Sequence, residues 1–240
     1  MISKKVISNI VSKYSLGNNI EKVKWVINDK KLNINFINDS KNLVGYIDYR
    51  EDIGLKNGDY GIFNTSQLIK CLNILDGDIL VDVNSSKLNL ADTNYEIKFN
   101  LADPAVIPGT PDIKDPEQFS MSFDVSDEFI TRFVKSKDAL SELHTFTVET
   151  RDGFNGEELV FTVGTNFTNT IEFTVENATI NESFEAVPFD SILLKEILKA
   201  NRTYHSGEIR INKKGLLDAH LHHGDDLFTG YYLVRKQENN

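Results

Sequence analysis

The chain has 240 residues and a mass of 27.2 kDa, which suits one or two domains of roughly 100 to 150 residues each. Its 40% hydrophobic and 26% charged residues exclude a disordered or fibrous chain, and no apolar run approaches the ~18 residues of a membrane-spanning helix. A single cysteine excludes an internal disulfide. The net charge of −10 argues against a nucleic-acid partner unless the charge is unevenly distributed. We expect a soluble cytoplasmic protein.

The first half of the chain has the pattern of an α+β domain. Apolar residues at helical spacing predict amphipathic helices over Ile2–Ser15 and Thr65–Leu75. Alternating apolar and polar residues, bounded by Asn, Asp and Gly, predict short antiparallel strands. These strands are Val23–Asn28, Leu32–Ile37, Leu43–Asp48, Ile79–Asn84, Lys87–Ala91 and Tyr95–Leu101.

Proline marks a boundary in the middle of the chain. Four of the five prolines lie between Pro104 and Pro116, where neither a helix nor a central strand would tolerate them. We therefore predict an N-terminal domain over residues 1–103, a proline-rich linker over 104–117 and a C-terminal domain over 118–240.

The second half repeats the pattern of the first. Helices are predicted over Ser126–Leu140 and Asp190–Asn201. The predicted strands are Thr145–Thr150, Glu158–Val163, Thr170–Glu176, Glu208–Asn212, Gly215–Leu221 and Leu227–Val234.

A weak internal repeat suggests that the two halves are copies of one unit. Phe63–Leu72 aligns with Phe189–Leu198, with Phe, Asn or Asp, Thr or Ser, and two leucines at matching places. Each copy opens a helix with a residue typical of an N-cap, and three predicted strands follow it. Two similar domains, each with two helices packed on antiparallel sheet, are the economical interpretation.

Basic residues are concentrated on the predicted helices. The four helical segments carry a net charge of about +2, whereas the rest of the chain carries about −12. On the helix from Asp190, for example, apolar residues occupy one side and Lys195, Lys199 and Arg202 follow on the other. The charge is therefore unevenly distributed, with basic residues on the helices of an acidic chain, and the net charge no longer argues against a nucleic-acid partner.

Three features together resemble the DNA sliding clamps. They are the segment Tyr60–Leu75, the segment Lys87–Pro104 with its Ala102-Asp103-Pro104 entry into the linker, and the order of elements as far as Val234. Within that family the chain is most similar to the trimeric clamp of T4-type bacteriophages. The resemblance implies an α+β DNA-clamp fold in which three two-domain chains close a ring, with helices lining the hole around duplex DNA.

The resemblance also implies residues and partners. The basic residues expected to face DNA are Lys4, Lys5, Lys13, Lys70, Arg132, Lys135, Lys137, Lys195, Lys199 and Arg202. Cations of this kind attract phosphates without reading bases, which permits sliding. The implied partners are duplex DNA bound without sequence specificity, two further copies of the chain, a DNA polymerase, an ATP-dependent clamp loader and, in T4-type systems, the late-transcription machinery. For a site that docks partner proteins we suggest Val106, Ile107 and Tyr232.

Two other classes of function fit parts of the sequence. His220 and His222 alternate onto one strand face with Asp225 nearby, which is one arrangement for metal ligands, although a polar hairpin turn explains the same run. A β-rich phage structural or carbohydrate-binding module fits the strand content but not the four amphipathic helices. Nucleotide-binding loops and nucleophile motifs are absent from the sequence. We therefore predict no enzymatic activity, no cofactor and no metal.

Overall fold

The structure, a computed structural model, describes residues 1–111, 116, 118–154, 156–165 and 167–237. The chain divides into two compact units. Unit 1 comprises Met1–Pro111 and Gly224–Thr229, and unit 2 comprises Asp112–His223 and Gly230–Asn240. Part of the predicted linker, residues 112–115 and 117, lies outside the described residues. The domain boundaries at 103/104 and 117/118 stay a prediction, and Gly224–Thr229, which falls in the predicted second domain, groups with unit 1.

Unit 1 combines two helices with antiparallel strands. The helices are α1 (Lys4–Ser15) and α2 (Thr65–Asn73). One sheet has the strand order β1-β6-β7-β8, and a second run of paired strands has the order β4-β3-β2-β5. The strands are β1 (Ile2–Ser3), β2 (Val23–Asn28), β3 (Lys31–Ile37), β4 (Leu43–Tyr49), β5 (Gly58–Ile62), β6 (Asp78–Asn84), β7 (Lys87–Ala91) and β8 (Glu96–Asn100).

The core of unit 1 is mainly aliphatic. Ile7, Ile10 and Val11 of α1 are buried together with Leu68 and Leu72 of α2. Buried and less buried residues alternate along β2 and β3, as expected for strands with one face on a core. Burial of this apolar area is the main force that holds the helices to the strands.

A backbone bridge joins Ala102, which follows β8, to Gly61 of β5. The Ala102 amide donates to the Gly61 carbonyl at 2.9 Å. A β-carbon on Gly61 would lie 2.5 Å from the Ala102 carbonyl oxygen, so only glycine permits this approach. The short 3-10 turn Pro104–Val106 follows, and its first amide groups are capped by Asp103, whose carboxylate accepts from the Ala105 amide at 2.9 Å.

Unit 2 has the same composition of elements. Its helices are α3 (Asp127–Ala139) and α4 (Ser191–Ala200). One sheet has the order β12-β11-β10-β14, and a further run has the order β13-β9-β15-β16-β17. The strands are β9 (Met121–Asp124), β10 (Thr145–Gly153), β11 (Gly156–Val163), β12 (Ile171–Val175), β13 (Thr179–Ile180), β14 (Val187–Asp190), β15 (Ser206–Asn212), β16 (Leu216–His222) and β17 (Leu227–Val234).

The core of unit 2 is built around phenylalanine. The Phe161 ring lies 5.2 Å from that of Phe129, edge to face, and 5.8 Å from that of Phe146, stacked. Phe189 stacks on Phe146 at 5.6 Å. Rings in such offset and edge-to-face arrangements stabilise a core beyond the area they bury. Residues of α3, β10, β11 and β14 are therefore held in one aromatic cluster.

Local chemistry explains where the helices begin. The Asn64 side chain accepts from the Gln67 amide at 2.8 Å, and the Ser126 hydroxyl accepts from the Phe129 amide at 3.1 Å. The Asp190 carboxylate accepts from two amides, those of Ile192 and Leu193. Each satisfies donors that a helix start otherwise leaves unpaired.

The structure confirms the predicted helices to within two residues at each end, and it confirms the two helices per half with three strands after α2 and after α4. Five short strands in the described residues were not predicted, namely β1, β5, β9, β13 and β14. Ile2 and Ser3, which fall in the first predicted helix, pair instead with Ile79 and Asp78 of β6. None of the helices in the described residues is long and apolar enough to cross a membrane.

Candidate nucleic-acid interface

The exposed sides of α1 and α2 carry few charges. We call these residues the first helix face: Lys5, Ser8, Asn9 and Ser12 of α1, and Lys70 of α2. Lys5 and Lys70 are exposed, and neither forms an ion pair among the residues that the structure describes. Hydroxyl and amide groups occupy the remaining positions, so the first helix face, as defined, carries two cations.

Two predicted DNA-facing lysines of α1 are engaged elsewhere. The Lys4 ammonium donates to the Leu75 carbonyl just beyond α2. Lys13 is fully buried, and burial lowers the pKa of its ammonium to about 8. The expectation that Lys13 presents its charge at the surface is wrong, because the last turn of α1 turns this side chain into the protein.

The exposed sides of α3 and α4 carry more charge of both signs. We call these residues the second helix face; it consists of Glu128, Arg132, Lys135, Asp138, Lys195, Glu196 and Lys199, with Arg202 directly after α4. Lys135 and Arg202 are exposed and have no ion pair within the described part of the chain.

The other cations of the second helix face each have a carboxylate partner. Arg132 pairs with Glu128 one turn earlier in α3, and the Lys199 Nζ lies 3.6 Å from Glu196 Oε1 within α4. Lys195 of α4 pairs with Asp138 in the last turn of α3. Its hydrogen bond, with the nearby lysines, holds the pKa of the Asp138 carboxyl below its usual range, so Asp138 is ionised at neutral pH.

Lys137 does not belong to this exposed surface. Its side chain is buried, and its ammonium donates to the Ser141 carbonyl at 2.6 Å and more weakly to that of Leu140 at 3.4 Å. Burial lowers the pKa of Lys137. The predicted outward orientation is therefore wrong here too, because Lys137 satisfies carbonyls at the C-terminal end of α3, where a cation is favourable. For the other predicted residues, contact with DNA stays a prediction.

The alternative metal site is not assembled. Among the described residues, no group of three or more His, Cys, Asp or Glu side chains is arranged to hold a metal ion. His220 lies with its Nε2 2.6 Å from Asp218 Oδ1, and Asp218 is fully buried and also bound by Arg210. His222 is exposed at the end of β16. His220 thus belongs to a polar network with Asp218 and Arg210, while Asp225 lies in the turn after β16.

The residues suggested for partner docking have different environments. Val106 is 58% exposed at the end of the 3-10 turn, whereas Ile107 is buried. Tyr232 is half-buried, and its ring lies edge-on to His220 at 5.8 Å. Docking of partners at these three residues stays a prediction.

The sequence pattern indicated the cations on these helices but not the ion pairs that hold them. Glu128 and Arg132 at i and i+4, and Glu196 and Lys199 at i and i+3, have the spacing of helical ion pairs and could have been found. Asp138 and Lys195 lie 57 positions apart. Only the packing of α3 against α4 brings them together.

Two similar units, each with two helices on antiparallel sheet, define an α+β fold of the DNA-clamp class. No protein-family model matches the chain, and no curated protein matches it significantly in sequence. Among solved structures the chain is similar to the proliferating cellular nuclear antigen of Entamoeba histolytica, with a TM-score of 0.72 and 16% identity over 98% of this chain and 96% of that one. The predicted fold class is confirmed.

Proposed function

We propose that the chain is a sliding clamp, which closes as a homotrimeric ring around duplex DNA and tethers a DNA polymerase for processive synthesis. The observation that carries this proposal is the similarity to a proliferating cellular nuclear antigen over nearly the whole of both chains. Because the identity is low, the similarity establishes the fold, and the function is inferred from the fold together with the charges on the helices.

The charge distribution supports DNA binding at the helices. Lys5, Lys70, Lys135 and Arg202 are cations of the two helix faces without an ion pair in the described part of the chain. They provide sequence-independent attraction to phosphates, which is weak enough to permit sliding. The acidity of the remaining chain disfavours DNA elsewhere on the surface. In a closed ring, retention on DNA is topological and does not need strong attraction to phosphates.

Free strand edges support the assembly of a ring. At the ends of the strand runs, β1 and β13 have two residues each, and the bridge from Ala102 covers β5. At β14, Pro188 has no amide, and its carbonyl accepts from the Lys236 amide at 2.9 Å. In the described part of the chain, β8 of unit 1 and β12 of unit 2 are five-residue strands at the edges of the two four-stranded sheets. We propose that β8 of one protomer pairs with β12 of the next, a head-to-tail arrangement that closes after three copies.

The finer parts of the proposal follow from the resemblance found in the sequence. An ATP-dependent loader opens the ring, the chain acts in the cytoplasm of a host cell, and partners dock near Val106, Ile107 and Tyr232. A T4-type bacteriophage origin adds a role in activating late transcription. The two predicted domains, 1–103 and 118–240, with the linker between them, are the repeating parts of this ring.

Light scattering across a dilution series tests the assembly first. The proposal expects a particle of three times 27.2 kDa. Phe99 of β8 is buried, so replacing it would disturb the core. The test is instead Lys98→Pro: the bonds from Asp92 to Tyr95 and from Leu101 to Ser86 set the alternation of the β7–β8 ladder, which turns the Lys98 amide away from β7. We expect monomers with unchanged far-UV circular dichroism. A wild-type monomer at every concentration would contradict the ring.

A topological assay tests the clamp function and needs no partner protein. The trimer is incubated with linear duplex at low salt, both DNA ends are then blocked with streptavidin, and the salt is raised to screen the attraction to phosphates. A ring that has threaded onto DNA remains on end-blocked duplex and leaves duplex with free ends. A structural or carbohydrate-binding protein is washed from both, and that result would contradict the proposal.

A further inference from the structure

Carboxylates on the second helix face hold three of the cations that the sequence resemblance expects to face DNA, namely Arg132, Lys195 and Lys199. Glu128, Asp138 and Glu196 each pair with one of them. A cation in such a pair must leave its carboxylate before it can bind a phosphate. Under the proposed function, these carboxylates therefore act on DNA binding through the cations that they hold.

The pair of Asp138 and Lys195 restrains its cation most. The Lys195 side chain is only 21% exposed, whereas those of Arg132 and Lys199 are 42% and 47% exposed. The pair joins the last turn of α3 to α4, so the packing of the two helices sets its geometry. The low pKa of the Asp138 carboxyl, caused first by the hydrogen bond from Lys195, keeps the pair charged at neutral pH.

Ion pairs at this level of exposure are weak and are screened by salt. Asp138 itself is 56% exposed, so water and ions reach it. A phosphate with its own negative charge can therefore replace the carboxylate at Lys195. The two states, ammonium on Asp138 and ammonium on phosphate, compete directly.

We infer that Asp138 competes with DNA phosphates for the Lys195 ammonium and thereby limits how tightly the clamp holds duplex DNA. This inference rests on the proposed function. Asp138 is a positioning residue that acts through Lys195 and does not touch DNA. Glu128 acts in the same way on Arg132. A clamp that must slide benefits from such competition, because strong binding to phosphates retards movement along the duplex.

The test is Asp138→Asn, which removes the charge with almost no change of shape. The affinity of the assembled protein for a short duplex is measured by fluorescence anisotropy over a series of salt concentrations. We expect the affinity to rise by about tenfold near 0.1 M salt, and the slope of log K against log salt to steepen by about 0.9 for each additional phosphate that the protein neutralises. Circular dichroism and light scattering verify fold and assembly. If this variant does not fold, Glu128→Gln provides the same measurement on Arg132.

Glu185→Gln is the matched control. Glu185 is exposed and has no ion pair among the described residues, so the control makes the same change of net charge without releasing a cation. We expect an affinity within about twofold of wild type, since a distant surface charge is screened. An equal gain for Glu185→Gln and Asp138→Asn would overturn the inference, because net charge alone would then explain both.

A double-mutant cycle isolates the route through Lys195. In a Lys195→Ala background, Asp138→Asn should no longer raise the affinity, and a gain that persists there would overturn the inference. If wild-type protein binds duplex in a salt-dependent manner and Asp138→Asn binds with the same affinity, the inference is overturned and the proposed function stands. Wild-type protein that shows no salt-dependent duplex binding would overturn the proposed function and the inference together.

Discussion

The two helix pairs occupy equivalent places in the two units but differ in what they bury and what they expose. In the internal repeat, Phe63 lies before α2 and is 48% exposed, beneath the Lys22 ammonium at 4.9 Å. Its counterpart Phe189 lies before α4, is fully buried, and stacks on Phe146. The difference shows that a repeated sequence pattern preserves the helix start while the neighbouring core decides the role of the side chain.

The exposed sides differ as well. The first helix face offers serine and asparagine with two lysines that have no ion pair in the described ranges, whereas the second offers a larger number of cations, most of them held by carboxylates. If both faces line one hole, DNA meets a surface with few charges on unit 1. On unit 2 it meets a surface where most cations are paired with carboxylates.

Truncation of the repeated phenylalanine should give the largest contrast. Phe189→Ala removes a fully buried ring from the aromatic cluster and should lower the free energy of unfolding by about 3–5 kcal/mol. Phe63→Ala removes a half-exposed ring and should lower it by less than about 1 kcal/mol. Urea denaturation at fixed protein concentration measures both. Equal losses would mean that the two positions are energetically equivalent despite their burial.

The buried lysine of α1 should make stability depend on pH. The folded chain binds the Lys13 proton more weakly than the unfolded chain, with a pKa of about 8 instead of 10.5. Unfolding is then coupled to proton uptake between these values, so the free energy of unfolding should rise with pH in that window, by about 3 kcal/mol in total.

Lys13→Met should flatten this rise in urea titrations performed between pH 8 and 10. The matched variant at the end of α3, Lys137→Met, leaves the Ser141 carbonyl without its donor and should instead lower stability at pH 7 by about 1–3 kcal/mol. A pH dependence unchanged by Lys13→Met would assign it to another group.

Removing cations should affect DNA binding more on the second face than on the first. The combined variant Lys195→Ala, Lys199→Ala, Arg202→Ala should weaken duplex binding by on the order of tenfold or more and reduce the salt slope by about 0.9 for each phosphate that is no longer neutralised. The combined variant Lys5→Ala, Lys70→Ala should have a smaller effect, since fewer cations are removed. Unchanged salt-dependent retention in the α4 variant, with the fold intact, would count against these residues lining the hole.

The helix caps should give the smallest contrast. Asp190→Ala leaves two amides of α4 without an acceptor and should cost about 1–2 kcal/mol, whereas Asn64→Ala affects one amide of α2 and should cost about 1 kcal/mol. Thermal denaturation with the unmutated chain as reference distinguishes the two. A larger loss at Asn64 would show that α2 depends on its cap more than on packing.

Local sequence pattern predicted most of the secondary structure, and the failures have a common cause. The helices were recognised by apolar periodicity and capping residues, both of which act within a few positions. The strand β9 has four residues and exists because it pairs with β15, more than 80 positions later. The strand β14 contains Pro188 and exists because it pairs with β10. Pairing over such distances leaves no local signal in the sequence.

Spacing and side-chain chemistry within single elements are enough to predict the α+β class, the internal repeat, the helix starts and the concentration of basic residues on the helices. Which of those residues reach the surface depends on tertiary packing. Packing buried Lys13 and Lys137, joined Lys195 to Asp138 across two helices, and placed β8 and β12 at the edges of their sheets. Burial, pairing and edge exposure depend on elements distant in sequence, so they are fixed only when the chain packs.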